Sequence, residues 1–392
     1  MRFKEYLMED ALDAIIDYRG KTPQKSDTGI PTLSAKSVKN NYINYAECYY
    51  ISEAEYKRFM VRGFPQKGDV LLTTEAPMGM VAKLDRDDVA IAQRLLTLRG
   101  KEGVLDNDYL LYLLQSPYGQ GLLKARETGT TVTGIKQAEF RRIIVRLPDI
   151  ATQKKIGSIL SAIDQKIVCN VKVNDNLQQQ AATIFHRWFV NNPDSEKWPM
   201  VTLDDLTSLV SRGIAPKYDD ESAQIVLNQK CIRDHYIDIS LGRRHKPKAI
   251  NEKWLQYGDL LINSTGEGTL GRAAQVWFIP ENMTVDSHVT VVRPMNQLLL
   301  FYIGLWGISH EREIEALHTG STGQTELPRE RVKAMELRLP DNDTLVRFND
   351  VISPMVSAII ANQKENTRMA SIRDALLPKL MSGEIDVSSV DI

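Results

Sequence analysis

The sequence predicts an α+β protein in which two similar domains are separated by a long antiparallel two-helix coiled coil, with pseudo-two-fold symmetry. Three features predict this fold class: an internal repeat, short apolar runs punctuated by Gly and Pro in each half, and a heptad pattern after each half. The repeat is offset by 192 residues between Asn170 and Asn362. Solenoid repeats are far shorter, at roughly 20 to 50 residues. The chain therefore contains a duplicated domain.

Four short motifs carry the duplication. The recurring pairs are Gly68–Leu72 with Gly258–Ile262, Thr74–Gly79 with Thr265–Gly271, Thr128–Thr131 with Thr319–Thr322, and Arg146–Pro148 with Arg338–Pro340. The copies are similar but diverged, which suits a target with two similar but different halves.

Each half mixes short strands with one helical stretch. In the first half the predicted strands are Ile30–Leu33, Asp69–Thr73 and Leu95–Leu98, and a helix over 108–123 is shortened by Pro117. In the second half they are Leu260–Asn263 and Val289–Val292, with a helix over 298–314. The predicted blocks are domain 1 at 1–148, a central helix at 149–190, a linker and domain 2 at 191–340, a distal helix at 341–383 and a C-terminal tail at 384–392.

A heptad pattern predicts that the two helices pair. The first seam consists of Ile156, Leu160, Ile163, Ile167, Asn170, Asn174, Leu177, Ala181, Ile184 and Trp188. A shift of 192 residues reproduces it and places Asn362 and Asn366 at the two polar steps. A buried Asn sets register at some cost in stability, so these four residues are predicted to pair the helices. Alternatively, the asparagines face solvent, and Val171 or Val173 continues the apolar stripe of the first helix.

Two residues of the second helix depart from the first copy. Pro354 stands where the first copy has Ala162, and it is expected to kink the helix or to delay its start. Arg373 occupies an apolar position, and Ile372 is expected to replace it there.

The short linker favours antiparallel pairing. The seam from Ile156 to Trp188 spans about 48 Å at about 1.5 Å per residue, whereas the linker Asn191–Met200 reaches about 34 Å when extended. In a parallel pair, the linker and the second domain would have to bridge most of the helix length. An antiparallel pair needs no such span and places one domain at each end of a rod. The seam midpoints are residues 172 and 364, so facing residue numbers should add up to 536. This register predicts Asn170 beside Asn366 and Asn174 beside Asn362.

Composition indicates a reduced cytoplasmic protein. The chain has 49 basic and 50 acidic residues and a net charge of −1, which neither favours nor excludes a polyanionic partner. Cys48, Cys169 and Cys231 are isolated, so neither a disulfide nor a structural zinc is expected. The N-terminus lacks the apolar core of a signal peptide, and no uninterrupted apolar run approaches the roughly 18 residues of a membrane span.

The sequence contains no plausible catalytic set. The P-loop, zincin and nucleophile-elbow motifs are missing, and the six histidines are scattered. The glycine-bearing loop Ser264–Gly271 resembles a phosphate cradle, which leaves open a nucleotide-binding enzyme. Its counterpart in the first copy has lost most of the glycines. A turn between two strands is therefore the favoured interpretation.

Basic and amide side chains point instead to nucleic acid. Cations neutralise phosphates, while Arg, Asn and Gln can contact base edges. A solvated charged face remains an equal alternative on composition alone. The first cluster holds Arg19, Lys21, Lys25, Lys36 and Lys39, and the second holds Arg212, Lys217, Lys230, Arg233, Arg243, Arg244, Lys246 and Lys248. The duplicated loops Thr128–Thr133 and Thr319–Gln324 are small and rich in hydroxyls, which suits close approach to phosphate.

The whole chain resembles the specificity subunit of type I restriction-modification systems. The resemblance rests on Gly68–Leu71, on Thr130 and Thr131 with the following 143–148, on Gln153–Ile156, and above all on the ending Leu376–Ile385. It implies a non-catalytic subunit in which each domain is a target recognition domain that reads one half of a bipartite DNA site. The two halves should differ, because the copies have diverged. It also implies that the helices dock two methyltransferase subunits, and that restriction subunits join them.

No cofactor is expected in this chain, since the resemblance assigns S-adenosylmethionine, ATP and Mg to the partner subunits. The second copy departs from the pattern at 341–346, where Gln153 and its basic neighbours have no equivalent, so the two methyltransferase contacts need not be alike. A structural spacer that joins two proteins without reading DNA is a further alternative. The candidate DNA-binding residues are Arg19, Lys21, Lys36, Thr74, Gln93, Arg94, Thr130, Thr131, Lys136, Arg212, Lys217, Asn228, Lys230, Ser264, Thr265, Arg272, His288, Ser321, Thr322 and Gln324.

Overall fold

The computed structural model describes residues 1–129, 133–320 and 325–390. It divides into two compact units. Unit 1 comprises residues 1–169 and 365–392, and unit 2 comprises residues 170–364. Each unit mixes helices and sheets, so the α+β prediction is confirmed.

The described residues of the first half of the chain form eleven strands and six α-helices. The strands are β1 (Lys4–Leu7), β2 (Leu12–Asp17), β3 (Ile30–Leu33), β4 (Val38–Lys39), β5 (Tyr42–Ile43), β6 (Tyr49–Ile51), β7 (Val70–Thr73), β8 (Val81–Lys83), β9 (Ala90–Ile91), β10 (Leu95–Gly100) and β11 (Ile144–Leu147). The helices are α1 (Met8–Ala11), α2 (Glu53–Phe59), α3 (Asn107–Gln115), α4 (Pro117–Lys124), α5 (Gln137–Arg141) and α6 (Ile150–Phe185).

The central sheet of unit 1 has the order β2-β10-β7-β8, and all neighbouring strands in it are antiparallel. Strands β7 and β10 are apolar on both faces, since one face packs against α3 and the other against the smaller sheet β6-β3-β9. The chain enters β7 through Gly68, whose φ of +94° requires glycine. This sheet positions the loops of the candidate site.

The second half repeats this arrangement. Its strands are β12 (Met200–Thr202), β13 (Thr207–Arg212), β14 (Ile225–Leu227), β15 (Ile232–Arg233), β16 (Tyr236–Ile237), β17 (Arg243–Arg244), β18 (Leu260–Asn263), β19 (Ala273–Gln275), β20 (Met283–Val285), β21 (Val289–Pro294) and β22 (Glu336–Arg338). Its helices are α7 (Leu300–Ser309), α8 (Glu311–Ala316), α9 (Arg329–Lys333) and α10 (Asn342–Ser382). The central sheet has the order β13-β21-β18-β19, which matches β2-β10-β7-β8 of unit 1.

The two long helices run antiparallel within each unit. In unit 1 the beginning of α6 packs against the end of α10, and Ile156 and Leu160 share a core with Leu377 and Leu380. In unit 2 the end of α6 packs against the beginning of α10, and the rings of Trp188 and Phe348 lie 5.8 Å apart. Helix α6 continues beyond Phe185 as a π-helical turn, His186–Val190.

Unit 2 contains one of the two asparagine pairs that the register predicts. Asn362 Nδ2 donates to Asn174 Oδ1 over 2.8 Å, and Asn174 is buried. Val171 and Val173 are exposed, so the valine stripe does not replace the asparagine seam. Asn170 and Asn366 belong to different units, and their pairing stays a prediction.

Three sequence expectations about helices need correction. Helix α10 begins at Asn342 and stays helical through the exposed Pro354, so the expected delay of its start is wrong, while the kink stays a prediction. Arg373 keeps its seam position, where it forms a half-buried ion pair with Asp164. Ile372 is exposed and does not replace it. The helix over 108–123 is two helices, because Ser116 ends α3 and caps α4.

Helix α10 is also the one described helix that is long and apolar enough, by length and composition, to cross a membrane. An 18-residue window in it has a mean hydropathy of 1.3. The apolar side chains of this helix already pack within the units, for example Phe348 and Ile352 in unit 2 and Leu377 in unit 1. The sequence expectation that no apolar run reaches the length of a membrane span therefore holds for uninterrupted runs, but not for the mean hydropathy of this 18-residue window.

Candidate nucleic-acid interface

The strand order of unit 1 brings three loops to one edge of its central sheet. Strands β2 and β7 both end where their antiparallel neighbour β10 begins, because Leu96 faces Asp17 and Leu95 faces Thr73. The residues just beyond these ends, Arg19, Thr74 and Arg94, are therefore neighbours. The Thr74 amide donates to the Arg94 carbonyl over 3.0 Å, which extends the ladder by one step.

A carboxylate joins the two arginines at this edge. Glu75 Oε1 lies 2.9 Å from Arg94 Nε, and Glu75 Oε2 lies 3.8 Å from Arg19 Nη2. The side chain of Glu75 is only 20% exposed, whereas those of Arg19 and Arg94 are 47% and 52% exposed. Arg94 has a φ of +72°, a conformation that side chains other than glycine rarely adopt. The arrangement presents two oriented guanidinium groups to solvent.

The hydroxyl-rich loop of unit 1 is attached to the same edge. The Ile135 amide donates to the Thr74 carbonyl over 3.0 Å, and Thr128 and Gly134 exchange two backbone hydrogen bonds at the base of the loop. Thr130 and Thr131 lie outside the described residues. Lys136 is exposed beside it.

The remaining candidates of unit 1 lie around this edge. Gln93 Nε2 donates to Thr22 Oγ1 over 3.3 Å, which ties the start of β10 to the loop after β2. Lys21 and Lys36 are exposed and form no ion pair with another residue in the described ranges. Thr74 is buried and contributes backbone contacts.

Unit 2 places a different set of side chains at the equivalent edge. The Ser264 amide donates to the His288 carbonyl over 2.8 Å, just as Thr74 does to Arg94. Thr265 Oγ1 lies 2.8 Å from His288 Nδ1 and 3.0 Å from Gln229 Oε1. Ser264 Oγ is buried at 2.6 Å from Thr290 Oγ1. Hydroxyl, amide and imidazole groups thus stand where unit 1 has a carboxylate and an arginine.

Arg212 ends β13 at this edge and is held by its own loop. It pairs with Glu326 and donates through Nη2 to the Leu327 carbonyl over 2.9 Å. The Leu327 amide in turn donates to the Ser264 carbonyl over 2.9 Å, which is the counterpart of Ile135 and Thr74. Only 27% of the Arg212 side chain is exposed.

The other candidates of unit 2 are less closely connected. Asn228 accepts from the Lys230 amide over 2.8 Å and so caps a short helical turn, which leaves the Lys230 side chain exposed. Arg272 follows the β18–β19 turn, and Lys217 is exposed. Ser321, Thr322 and Gln324 lie outside the described residues.

Comparisons with known proteins identify this architecture. Residues 15–179 match the family model described as the type I restriction modification DNA specificity domain. The chain is 28% identical to the type I restriction enzyme MjaIX specificity subunit of Methanocaldococcus jannaschii, and the match covers 92% of this chain and 88% of that one. It is 20% identical to the HindI specificity subunit of Haemophilus influenzae, over 82% and 87% of the two chains. The chain is therefore similar to the specificity subunits of type I restriction-modification systems.

A solved structure supports the fold of this chain. The S subunit from M. genitalium superposes with a TM-score of 0.58 at 14% identity, over 97% of this chain and 96% of that one. The prediction of a specificity subunit, the non-catalytic member of its system, is confirmed by the family model and the curated relatives. The rival interpretation as a nucleotide-binding enzyme is not favoured. In the structure the loop Ser264–Gly271 is the turn between antiparallel strands β18 and β19.

Sequence reasoning found the repeated Gly-Asp motif of the specificity subunit but assigned it no role. Asp69 receives two hydrogen bonds of 2.8 Å from the Arg99 guanidinium, and Asp259 receives the same pair from Arg293. Both carboxylates are almost fully buried. Burial raises the pKa of Asp259, although its bond to Arg293 acts in the opposite direction. Each pair connects the start of one central strand to the end of its neighbour (β7 with β10, and β18 with β21), at the end of the sheet opposite the candidate interface.

A signal for these pairs was present in the sequence. Arg99 and Arg293 each end an apolar run of matching length, Leu95–Leu98 and Val289–Val292. An arginine at the end of a buried strand needs a partner, and the repeated aspartate is the one that both halves share.

Among residues 1–129, 133–320 and 325–390, no group of three or more His, Cys, Asp or Glu side chains is placed to hold a metal.

Proposed function

We propose that this specificity subunit reads a bipartite, asymmetric DNA site, with one half-site contacted by each unit at the edge where its sheet loops converge. The observation that carries the proposal is the matched geometry of these edges. The hydrogen bonds from Thr74 to Arg94 and from Ser264 to His288 are equivalent, but the side chains around them differ. A common backbone frame with different side chains suits two half-sites of different sequence.

The same proposal assigns partners to the helices. Helices α6 and α10 dock two methyltransferase subunits, and restriction subunits join them to complete the system. S-adenosylmethionine, ATP and Mg are then used by those partners in the cytoplasm, while this chain supplies sequence recognition.

Methylation mapping tests the proposal directly. Genomic DNA is sequenced from cells that carry the cognate modification subunits with or without this chain. We expect one bipartite methylated motif, with two different halves, that disappears when the chain is deleted. An unchanged methylation pattern would rule out a role in sequence recognition.

A segment exchange then assigns the halves. Residues 201–340 are replaced by the corresponding segment of a related specificity subunit, and the motif is mapped again. We expect one half-site to change while the other half and the gap between them stay the same. A change in both halves would contradict the assignment of one half-site to each unit.

A further inference from the structure

The triad Arg19–Glu75–Arg94 in unit 1 differs from an ordinary cationic patch. A side chain that only neutralises phosphate needs no fixed orientation, and an adjacent carboxylate repels the phosphate. Here Glu75 contacts both arginines, so three charged groups carry a net charge of +1. Such an arrangement weakens attraction to the DNA backbone and fixes the direction of the guanidinium groups.

Fixed orientation is what contact with a base edge requires. Arginine recognises guanine in the major groove through two parallel hydrogen bonds to O6 and N7, which are neutral acceptors. Holding the guanidinium in place beforehand reduces the side-chain entropy lost on binding. The Glu75 carboxylate approaches Arg94 at Nε, and 52% of the arginine side chain remains exposed.

The backbone of Arg94 adds a second, independent indication. Its φ of +72° lies in the left-handed region, which side chains other than glycine enter at a cost. The strand ladder holds this conformation, since the Arg94 carbonyl accepts from the Thr74 amide and the next residue, Leu95, begins β10. Strained positions that the surrounding structure maintains cluster at functional sites.

We propose that Arg94, oriented by Glu75, reads a guanine in the half-site contacted by unit 1. The inference rests on the proposed function and adds the base and the residue. Glu75 acts as a positioning residue, and Arg19 shares its second oxygen. The exposed Lys21, Lys36 and Lys136 have no such carboxylate in the described structure, which suits contact with phosphates.

The test uses the complete methyltransferase complex with Arg94→Lys, Arg94→Ala and Glu75→Gln variants of this chain. In the mapped motif, Arg94→Lys and Arg94→Ala should relax one guanine position of one half-site and leave the other half unchanged. The expected loss of discrimination at that position is roughly 5- to 150-fold, the value of one bidentate contact. Glu75→Gln should keep the preference for guanine but discriminate less strongly against the other bases, because the guanidinium is no longer held in one direction.

Arg86→Ala is the matched control. Arg86 is also paired with a carboxylate, Asp88, and its side chain is 44% exposed. It follows β8, whose residue Lys83 faces Val70 at the start of β7, so it lies at the opposite edge of the sheet from Arg94. This variant should retain the wild-type motif and affinity.

A binding experiment keeps the test decisive if the Arg94→Ala complex methylates nothing. Duplexes carrying the wild-type motif are compared with duplexes in which 7-deazaguanine, which lacks N7, replaces one guanine at a time. At one guanine of the unit 1 half-site the wild-type complex should lose at least about 5-fold in affinity, while Arg94→Lys should lose much less.

Three outcomes would overturn the inference. Arg94→Lys could retain full discrimination at every position, which would indicate a phosphate contact. Glu75→Gln could change the preferred base while Arg94→Ala does not, which would make the carboxylate the reader. The wild-type complex could show no motif that depends on this chain, in which case the proposed function fails as well.

Discussion

The junction between the helix pair and the sheet domain is polar in unit 1 and aromatic in unit 2. In unit 1, Asp164 accepts from the Tyr112 hydroxyl and from Arg373 Nη1, each over 2.7 Å. In unit 2, the positions offset by 192 from Asp164 and Arg373 are Val356 and Ala181, and both are fully buried in an apolar core. The same backbone arrangement is therefore stabilised by two different kinds of side chain. The repeat preserves geometry rather than chemistry.

The aromatic cluster should give the largest effect of a single substitution. Phe348 is fully buried in unit 2, and its ring centroid lies 4.7 Å from that of Phe189 and 5.8 Å from that of Trp188. Phe348→Ala should lower the free energy of unfolding by about 3 to 5 kcal/mol, because the ring leaves a cavity that rigid neighbours cannot fill. Denaturant unfolding of the full chain measures the loss. Ile279→Ala, at a side chain that is 57% exposed, is the control, and a similar loss there would contradict the interpretation.

The polar junction of unit 1 can be converted toward that of unit 2. Arg373→Ala alone should cost about 2 to 3 kcal/mol, because it leaves the largely buried Asp164 carboxylate without its cation. Adding Asp164→Val reproduces the residues of unit 2 and should recover about half of the loss. Recovery should be incomplete, since the Tyr112 hydroxyl then loses its acceptor. Equal stability of the single and double variants would show that the ion pair is not the relevant difference.

These contrasts show where prediction from sequence succeeds. The strands around Asp69–Thr73 and Leu260–Asn263 are found because apolar runs and turn residues lie next to each other in the chain. The register of Asn174 with Asn362 is found because two heptad seams share one period. In each case, local periodicity contains the structural information.

Partners that are distant in sequence were not predictable in the same way. The Arg94 side chain meets Glu75 only because β10 and β7 are neighbours, and the same is true of Arg99 and Asp69. Arg373 was expected to leave the seam, but an aspartate 209 residues away accommodates it. Side-chain pairing across strands depends on register and rotamer, which a single sequence does not contain. The assignment of individual DNA contacts stays a prediction for the same reason.

A second difference between the units lies at the start of the long helices. The buried Gln153 side chain accepts from the Asp106 amide over 3.0 Å and donates to the Val104 and Pro148 carbonyls over 2.8 and 2.9 Å. Leu345 occupies the equivalent position in unit 2 and packs in its core.

Gln153→Leu should therefore lower the stability of the chain by about 1 to 2 kcal/mol, because three backbone groups that are partly or fully buried lose their partner. Denaturant unfolding checks the size of the effect. Gln178→Leu, at a half-buried glutamine later in α6, should change stability by much less. A neutral Gln153→Leu variant would mean that water replaces the amide, and that the two junctions are more alike than their residues suggest.

The helix caps are a feature that both units share, and they should give the smallest effect. Asp149 accepts from the Thr152 amide over 2.9 Å and from its hydroxyl over 2.7 Å, and Asp341 makes the same pair of bonds with Thr344. The bonds from Thr152 hold the pKa of Asp149 below its ordinary value. Asp149→Ala should lower the free energy of unfolding by about 1 kcal/mol near neutral pH.

The sign of the pH dependence follows from the depressed pKa of Asp149. The stabilisation from this cap is fully present above the ordinary aspartate pKa of about 3.9 and is lost as the pH falls through the lower, folded-state value. The stability difference between wild type and Asp149→Ala should therefore be constant from pH 7 to pH 5 and should shrink below about pH 4. Asp149→Asn tests the charge separately, since asparagine also caps helices and should remove most of the pH dependence while keeping most of the stability. If the difference between wild type and Asp149→Ala grew on acidification, the carboxylate would not be the stabilising form, and the caps would not be equivalent in the way that their hydrogen bonds indicate.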